Sequence, residues 1–583
     1  MSEILNKKYI MRRTQIMSKK YLVVGGVAGG MSAAARLRRL DPYADIQVFE
    51  KGPHVSFSNC CLPFHLSGVV PEADNLILMT PELLKKQYNL DVKVLHEVIK
   101  INKEEKTILI RKVDTGEEYE ESYDKLILSP GARAIRPSSI KGVDRDNVFT
   151  VKNVVDIDRL KKYIDNNSIE DVAVIGGGFI GLEVMESLRE AGKNVVLVEG
   201  TDQILAPMDY DLVQVLNKEI YDKGVKLLYN EKLAEVADGK IVLESGKEIK
   251  AGAVVLAIGV VAEAGLAKDA GLKFGETGGI LVNHHYQTTD SDIYAVGDVI
   301  ETTHFITNKK VRLTLAGPAQ RQARAVADHI YGRTYKNTGV IGSSVVKIFD
   351  YNAASTGLNE KDCKKLGIDY DVAYIIPKDK VGLIPSANPI HFKLIFQVPT
   401  GQILGAQSVG KGAVDKRVDV IAAMIMNRAN IEDLKELELC YSPYFTTAKD
   451  ATNMAALVAC NLLNGEYKQV RTSEVRKLVE EGAYIIDSRE RVEYEEGHIK
   501  GAVNIPLSEF RKRLDEIPKD RPVYVHCLSS QRSYYMVREL NLRGYKNVIN
   551  ISGSFLGISL YEYFTDITTG REPIVTNYRF NLL

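Results

Sequence analysis

Tyr21-Leu22-Val23-Val24-Gly25-Gly26-Val27-Ala28-Gly29-Gly30 is the stretch that decides the fold. A short apolar run stops at a glycine-rich turn, and an alanine-rich helix is predicted from there to about Leu40. A second apolar run, residues 46–49, ends in Glu50. Strand, turn, helix, strand and acid in this order make a nucleotide-binding βαβ unit. The N–H groups of the turn and the helix dipole hold a pyrophosphate, while the acid accepts hydrogen bonds from a ribose. Val27 takes the place of the middle glycine of G-x-G-x-x-G, and Glu50 at the right distance compensates for it.

A second copy starts with the apolar run 172–175 and continues Gly176-Gly177-Gly178-Phe179-Ile180-Gly181. Its helix should run to Ala191, and its second strand, 195–198, ends in Glu199. Glu199 is followed by Gly200, which leaves no cation for a 2′-phosphate and points to NADH, with NADPH as the other nicotinamide donor. Two such units imply one cofactor that donates electrons and another that passes them on. Three further strands end in tight turns: 126–128 before Ser129-Pro130-Gly131, 254–258 before Gly259, and 293–296 before Gly297-Asp298. An acid at Asp298 could accept hydrogen bonds from the hydroxyls of a cofactor lying across the sheet.

At 583 residues the chain must comprise several domains. Its formal net charge is zero, so nothing points to a nucleic acid or an anionic membrane as partner. Six scattered cysteines are no disulfide framework and fit a reducing cytoplasm. There is no Cys-x-x-Cys to hold zinc, and no metal is expected. Residues 1–16 are polar and basic without an apolar core, and read as a disordered leader rather than a secretory signal.

Soon after the first unit comes Ser56-Phe57-Ser58-Asn59-Cys60-Cys61-Leu62-Pro63. Leu-Pro after a cysteine predicts a helix starting there, which would lower a thiol's pKa. The plainer alternatives are two buried structural cysteines or a vicinal disulfide.

Over residues 19–460 these elements together resemble the two-dinucleotide flavoprotein disulfide reductases. The resemblance implies FAD on the first unit, contacted by Gly25, Val27, Ala28, Gly29, Gly30, Glu50, Lys51, Ser58, Asn59, Ser129, Pro130, Gly131, Gly297, Asp298 and Ala316. It puts the nicotinamide cofactor on Gly176, Gly178, Phe179, Ile180, Gly181, Glu199 and Gly259. Most relatives carry a Cys-x4-Cys redox pair. This chain has none, and residues 56–63 resemble the single-cysteine branch of coenzyme A disulfide, persulfide and polysulfide reductases, NADH peroxidases and NADH oxidases. Cys60 is then the redox thiol beside the flavin, and Cys61 stands where relatives have a small residue. By position the coenzyme A contacts fall on Ser32, Arg36, Arg39, Ser56, Asn59 and Lys449, with the two arginines as fixed cations for phosphates. Tyr441, in Cys440-Tyr441-Ser442-Pro443-Tyr444-Phe445, should reach the flavin and substrate of the partner in a homodimer whose active site is shared. A Tyr-Tyr pair of the coenzyme A enzymes is Leu383-Ile384 here, and a substrate lysine falls at Tyr88, near Lys85 and Lys86.

The last hundred residues read as a separate unit. An apolar run, 523–525, leads into His526-Cys527, then Leu528-Ser529-Ser530-Gln531-Arg532, then a helix from about Ser533. A thiol at a strand end before a helix faces backbone N–H groups that stabilise a thiolate or persulfide, and Arg532 adds a fixed positive charge. This resembles a rhodanese sulfurtransferase, with Ser530 at the usual loop glycine and with Asp487, Arg489 and His498 as scaffold.

The expected class is α/β, with two Rossmann-like dinucleotide-binding domains, an α+β dimerisation domain and a C-terminal α/β rhodanese domain. The boundaries read as FAD domain 17–149 and 285–340, NAD(P)H domain 150–284, dimerisation domain 341–464, rhodanese 468–570 and a tail, 571–583. The function implied is NAD(P)H-dependent reduction, through FAD and Cys60, of a coenzyme A persulfide, polysulfide or disulfide, with coenzyme A as substrate or bound cofactor. Cys527, Arg532 and Tyr441 complete the catalytic set. The alternatives are an NADH oxidase or peroxidase cycling a cysteine sulfenate, or a coenzyme A disulfide reductase carrying a non-catalytic rhodanese module.

Overall fold

The computed structural model describes residues 19–580, and the expected leader lies outside them. The chain forms two compact units. One comprises residues 19–176 together with 187–194 and 233–340, and the other comprises 177–186, 195–232 and 341–580.

The first unit is built on a parallel sheet in the order Ile293–Ala295, Lys125–Leu128, Lys20–Val24, Asp45–Glu50, Asp91–Val94. Its strands are near-continuous apolar runs because both faces are covered. Helix Ala28–Leu40 buries Met31, Ala33, Ala34 and Leu37. Its small residues let it pack closely on helix Ala316–Ile330. Strand Lys20–Val24 has neighbours of opposite connection on its two sides, so the crevice at its carboxyl end is the topological switch point where such sheets bind ligands. Two of the predicted strand-to-turn elements are tied together here, since Ala132–Ala134 and Val260–Ala262 form an antiparallel ribbon.

In the second unit an antiparallel sheet runs in the order Ser344–Ile348, Tyr351–Gly357, Ile403–Gly410, Ile390–Gln397, Tyr370–Ile375. Helices Val414–Met426 and Ala451–Leu463 cover it. The C-terminal sheet is parallel, in the order Lys468–Val470, Val548–Ile551, Val523–His526, Tyr484–Asp487, Val503–Asn504. The two sheets meet at a buried ionic cluster. Lys393, 1% exposed at its side chain, places Nζ 2.6 Å from Asp211, 2.8 Å from Glu360 and 3.4 Å from Asp209. Arg471, at the start of the C-terminal sheet region, pairs with Glu360 as well.

Among the described residues, no helix is long and apolar enough to cross a membrane.

Candidate active sites

Both glycine turns are held by their acid. The N–H of Gly26 donates to Glu50 Oε2 at 2.8 Å, and the N–H of Gly177 donates to Glu199 Oε2 at 2.7 Å. Gly25 (φ +101°) and Gly176 (φ +107°) must be glycine. A Cβ there would lie 2.1 Å from Ser129 O and 2.4 Å from Ala257 O respectively. Gly178 faces open space, so a ligand can approach its backbone. These turns fit dinucleotides: bare N–H groups and a helix start lie beside a carboxylate whose remaining lone pairs are available to a ribose. Asp298, after its strand, is held by burial above the usual carboxyl range, against the pull of Lys152 and Arg312. Gly297 (φ +82°) donates its N–H to Gln322 at 2.8 Å. Lys51 is exposed and 3.9 Å from Glu263, and Ala316 opens its helix. Ser129 donates its N–H to Val24 O at 2.8 Å, and Pro130 and Gly131 complete that turn.

The cysteine stretch is fastened to the first turn. Ser56, at φ +49°, donates its N–H to Gly26 O at 2.9 Å, and its carbonyl accepts from Leu78. The helix expected at Cys60 is absent. Residues Asn59–Cys61 and Pro63–His65 form two single 3-10 turns. Pro63 has no N–H, so the bond back to Asn59 that would continue an α-helix cannot form. Cys60 is exposed and Cys61 partly so, and all six cysteines are thiols with no disulfide between these two. Ser58 donates its N–H to Leu76 O, while Asn59 is exposed on the first turn.

Of the predicted coenzyme A contacts, Ser32, Arg36, Arg39 and Ser56 converge on one cavity of about 410 Å³, lined also by Met79, Tyr88, Gln320 and Arg324. Asn59 is not in its lining, and Lys449 lies exposed in the second unit before helix Ala451–Leu463. Tyr88 rather than Lys85 or Lys86 faces this space. Arg36 is held in an ion pair, since its Nε donates to buried Asp328 at 2.9 Å. Arg39, by contrast, is exposed and has no ion-pair partner among the described residues. Gln320 and Arg324 escaped sequence reading. Their four-residue spacing on one helix was the available signal, but only the packing of that helix on Ala28–Leu40 turns it towards the cavity.

Glu183 was missed too. Burial, with Glu186 nearby, pushes its carboxyl up to about 7, on the helix that follows the second glycine turn. In the second unit Tyr441 is 52% exposed, beside exposed Tyr444, Phe445 and Leu383.

Cys527 ends strand Val523–His526 and is buried. The helix after it starts at Gln531, two residues earlier than expected, so Arg532 lies in its first turn. Arg532 is paired as well, because its two terminal nitrogens donate to the two oxygens of Glu493 at 2.6 and 2.7 Å. Ser530 takes the left-handed backbone (φ +74°) that glycine would adopt freely. Arg489 is locked between Asp487 and Gly497 O, and His498 stacks on Tyr494. Ser554, absent from the sequence reading, reaches both the N–H and the sulfur of Cys527.

Comparison with known proteins agrees with this architecture. The pyridine nucleotide-disulphide oxidoreductase family matches residues 19–323, its dimerisation domain 343–452, and the rhodanese-like domain 471–560. The coenzyme A disulfide reductase of Staphylococcus aureus (strain JH9) is 35% identical over 436 residues, covering 75% of this chain and 98% of that enzyme. The structure of reduced Bacillus anthracis CoADR-RHD superimposes with a TM-score of 0.91 at 45% identity, covering 93% of this chain and 98% of that one. A NAD-dependent persulfide reductase from A. fulgidus superimposes with a TM-score of 0.88 at 33% identity, covering 92% and 99%. The chain thus belongs to the pyridine nucleotide-disulphide oxidoreductases, as a flavoprotein of the coenzyme A disulfide reductase type that carries a C-terminal rhodanese domain.

Proposed function

We propose that this protein uses NADH to reduce the sulfur–sulfur bond of a coenzyme A persulfide at Cys60, and that Cys527 carries sulfane sulfur to that reaction. The observation that carries the reading is the cavity holding Arg36, Arg39 and Ser56, because Ser56 also fastens the Cys60 segment to the first glycine turn. Its arginines suit a ligand bearing phosphates, and its nearness in sequence to Cys60 suits a ligand ending in sulfur.

FAD, held by Gly25, Gly29, Gly30, Glu50 and Asp298, would supply two-electron transfer between nicotinamide and thiol. The chain's own residues do the rest. Arg36 and Arg39 orient the phosphates so that the sulfur end reaches Cys60. The Cys60 thiolate attacks the terminal sulfur; the donor S–S bond breaks, coenzyme A thiolate leaves, and the sulfur stays on Cys60 as a persulfide until two electrons originating from NADH break that S–S bond, releasing sulfide and restoring the Cys60 thiolate. Tyr441 of the same segment in a second copy would order the substrate or give a proton, which requires a homodimer. Glu199, as an acceptor for ribose hydroxyls at the end of its strand, favours NADH. A set of reduced thiols suits a reducing cytoplasm.

The Staphylococcus aureus relative covers 75% of this chain, and the rhodanese-like domain at residues 471–560 favours persulfide over coenzyme A disulfide as the main oxidant. The test is steady-state NADH oxidation with coenzyme A persulfide, coenzyme A disulfide, polysulfide, peroxide and oxygen. The reading expects the highest kcat/KM for the persulfide. Faster turnover with peroxide or oxygen would make the protein a sulfenate-cycling peroxidase or oxidase instead.

A further inference from the structure

Cys527 sits in a narrow, charge-balanced cup. Its side chain is 1% exposed. Two hydroxyls reach its sulfur, Ser533 Oγ at 3.6 Å and Ser554 Oγ at 3.9 Å. Each has a carbonyl to turn to instead: Ser530 O for Ser533 and Ile551 O for Ser554, both at 3.2 Å. Ser554 Oγ also accepts the Cys527 N–H at 3.2 Å and lies 3.1 Å from Ser530 Oγ. Ser530 and Ser554 both hold left-handed backbone, φ +74° and +50°, which disfavours any residue but glycine. A strained backbone kept at two serines whose hydroxyls meet beside a nucleophile points to use of those hydroxyls.

The cations around the cup are spoken for. Glu493 grips Arg532 with both oxygens, and Arg489 is held by buried Asp487 at 2.6 Å. A dianion such as thiosulfate would have to displace Glu493 from Arg532 and then sit beside that carboxylate. An alkyl persulfide brings only a slim S–S–CH2 end and no sulfonate.

We infer that the Cys527 cup takes sulfur from the alkyl persulfide of a carrier thiol and discriminates against thiosulfate, with Glu493 cancelling the charge of Arg532 and Ser533 and Ser554 supplying the donors to sulfur. This rests on the reading of Cys527 as a sulfur carrier. The Cys527 thiolate attacks the outer sulfur of R–S–SH. A new S–S bond forms as the old one breaks, R–S⁻ departs, and Cys527 carries S–SH, with no net oxidation. In the thiolate state the two hydroxyls turn to sulfur, and once the charge has left with R–S⁻ they return to their carbonyls.

The test is thiocyanate formation by the full chain, without NADH, from cyanide and either glutathione persulfide or thiosulfate. Wild type should favour the persulfide by about 100-fold in kcat/KM, the scale of a like-charge penalty in a closed site. Glu493→Gln should raise the thiosulfate rate and narrow the gap at least about tenfold. Ser554→Gly suits the left-handed backbone and removes only the hydroxyl; it should move the acid limb of the persulfide pH–rate profile upward, a shift that a packing role would not produce. Equal or better use of thiosulfate by wild type overturns the inference without needing any variant to fold, and so does an unchanged ratio in Glu493→Gln. Absence of thiocyanate from both donors would instead overturn the sulfur-carrier reading on which the inference rests.

Discussion

Arg36 Nε donates to Asp328 Oδ1 at 2.9 Å, joining the helix of the first glycine turn to the helix of Gln320 and Arg324. The pair fixes the wall of the cavity, while Arg39 on the same face keeps its charge for a ligand. Arg39→Ala is therefore expected to weaken coenzyme A binding by about 10- to 100-fold, the worth of one charged hydrogen-bond partner. Arg36→Ala should cost less affinity but lower the melting temperature, because it leaves buried Asp328 with Arg324, 3.6 Å away, as its remaining ion-pair partner. Calorimetric titration with coenzyme A and thermal melts of both variants check this order.

Glu183 should set a pH dependence on the nicotinamide side. Its carboxyl, pushed up to about 7 by burial, is neutral below that value and an anion above it. An anion near the second glycine turn repels a pyrophosphate, so KM for NADH should rise as pH passes 7. Glu183→Gln should flatten the rise, which NADH titrations from pH 6 to 8 will reveal.

Lys393 pairs with three carboxylates at the join between the antiparallel and C-terminal sheets. Lys393→Met keeps the bulk and leaves Asp209 and Asp211 without their paired cation, while Glu360 keeps Arg471. A loss of about 3–5 kcal/mol is expected, the usual cost of breaking a buried ion pair from one side. Chemical denaturation followed by tyrosine fluorescence measures it, and the signal is clean because the chain contains no tryptophan.

His391 is fully buried and bonded to Tyr374 at 2.7 Å, and burial lowers its pKa to about 4. Between about 6.5 and 4 the unfolded chain binds a proton at this site that the folded chain does not. The contribution of His391 is thus fully present above pH 6.5 and is lost as pH falls, by about 1 kcal/mol per unit. His391→Asn should melt with a shallower dependence on pH over that window.

Much of this was legible before any coordinates. The glycine turns, Glu50, Glu199 and the strand ends at Ser129, Gly259 and Asp298 are local patterns, dictated by backbone geometry within a few dozen residues. The short turns at Cys60 were misread because Leu-Pro favours a helix start in general, while the missing N–H of Pro63 forbids the particular bond that a helix there needs. The partners of Arg36 and Arg532 were not legible for another reason. Asp328 is 292 positions from Arg36 and Glu493 is 39 from Arg532, so no spacing rule pairs them. Ser554, 27 residues from Cys527, escaped for the same reason, since only the fold brings its hydroxyl to the thiol.

The central claim is that one thiol, Cys60, carries the reduction and its neighbour does not. Anaerobic NADH oxidation with coenzyme A persulfide, by wild type, Cys60→Ser and Cys61→Ser, tests it most directly. Cys60→Ser should lose at least about 10³-fold in kcat, as expected when a nucleophile is removed, while still binding NADH. Cys61→Ser should turn over within a few-fold of wild type. Full activity in Cys60→Ser, or its loss in Cys61→Ser alone, would contradict the account.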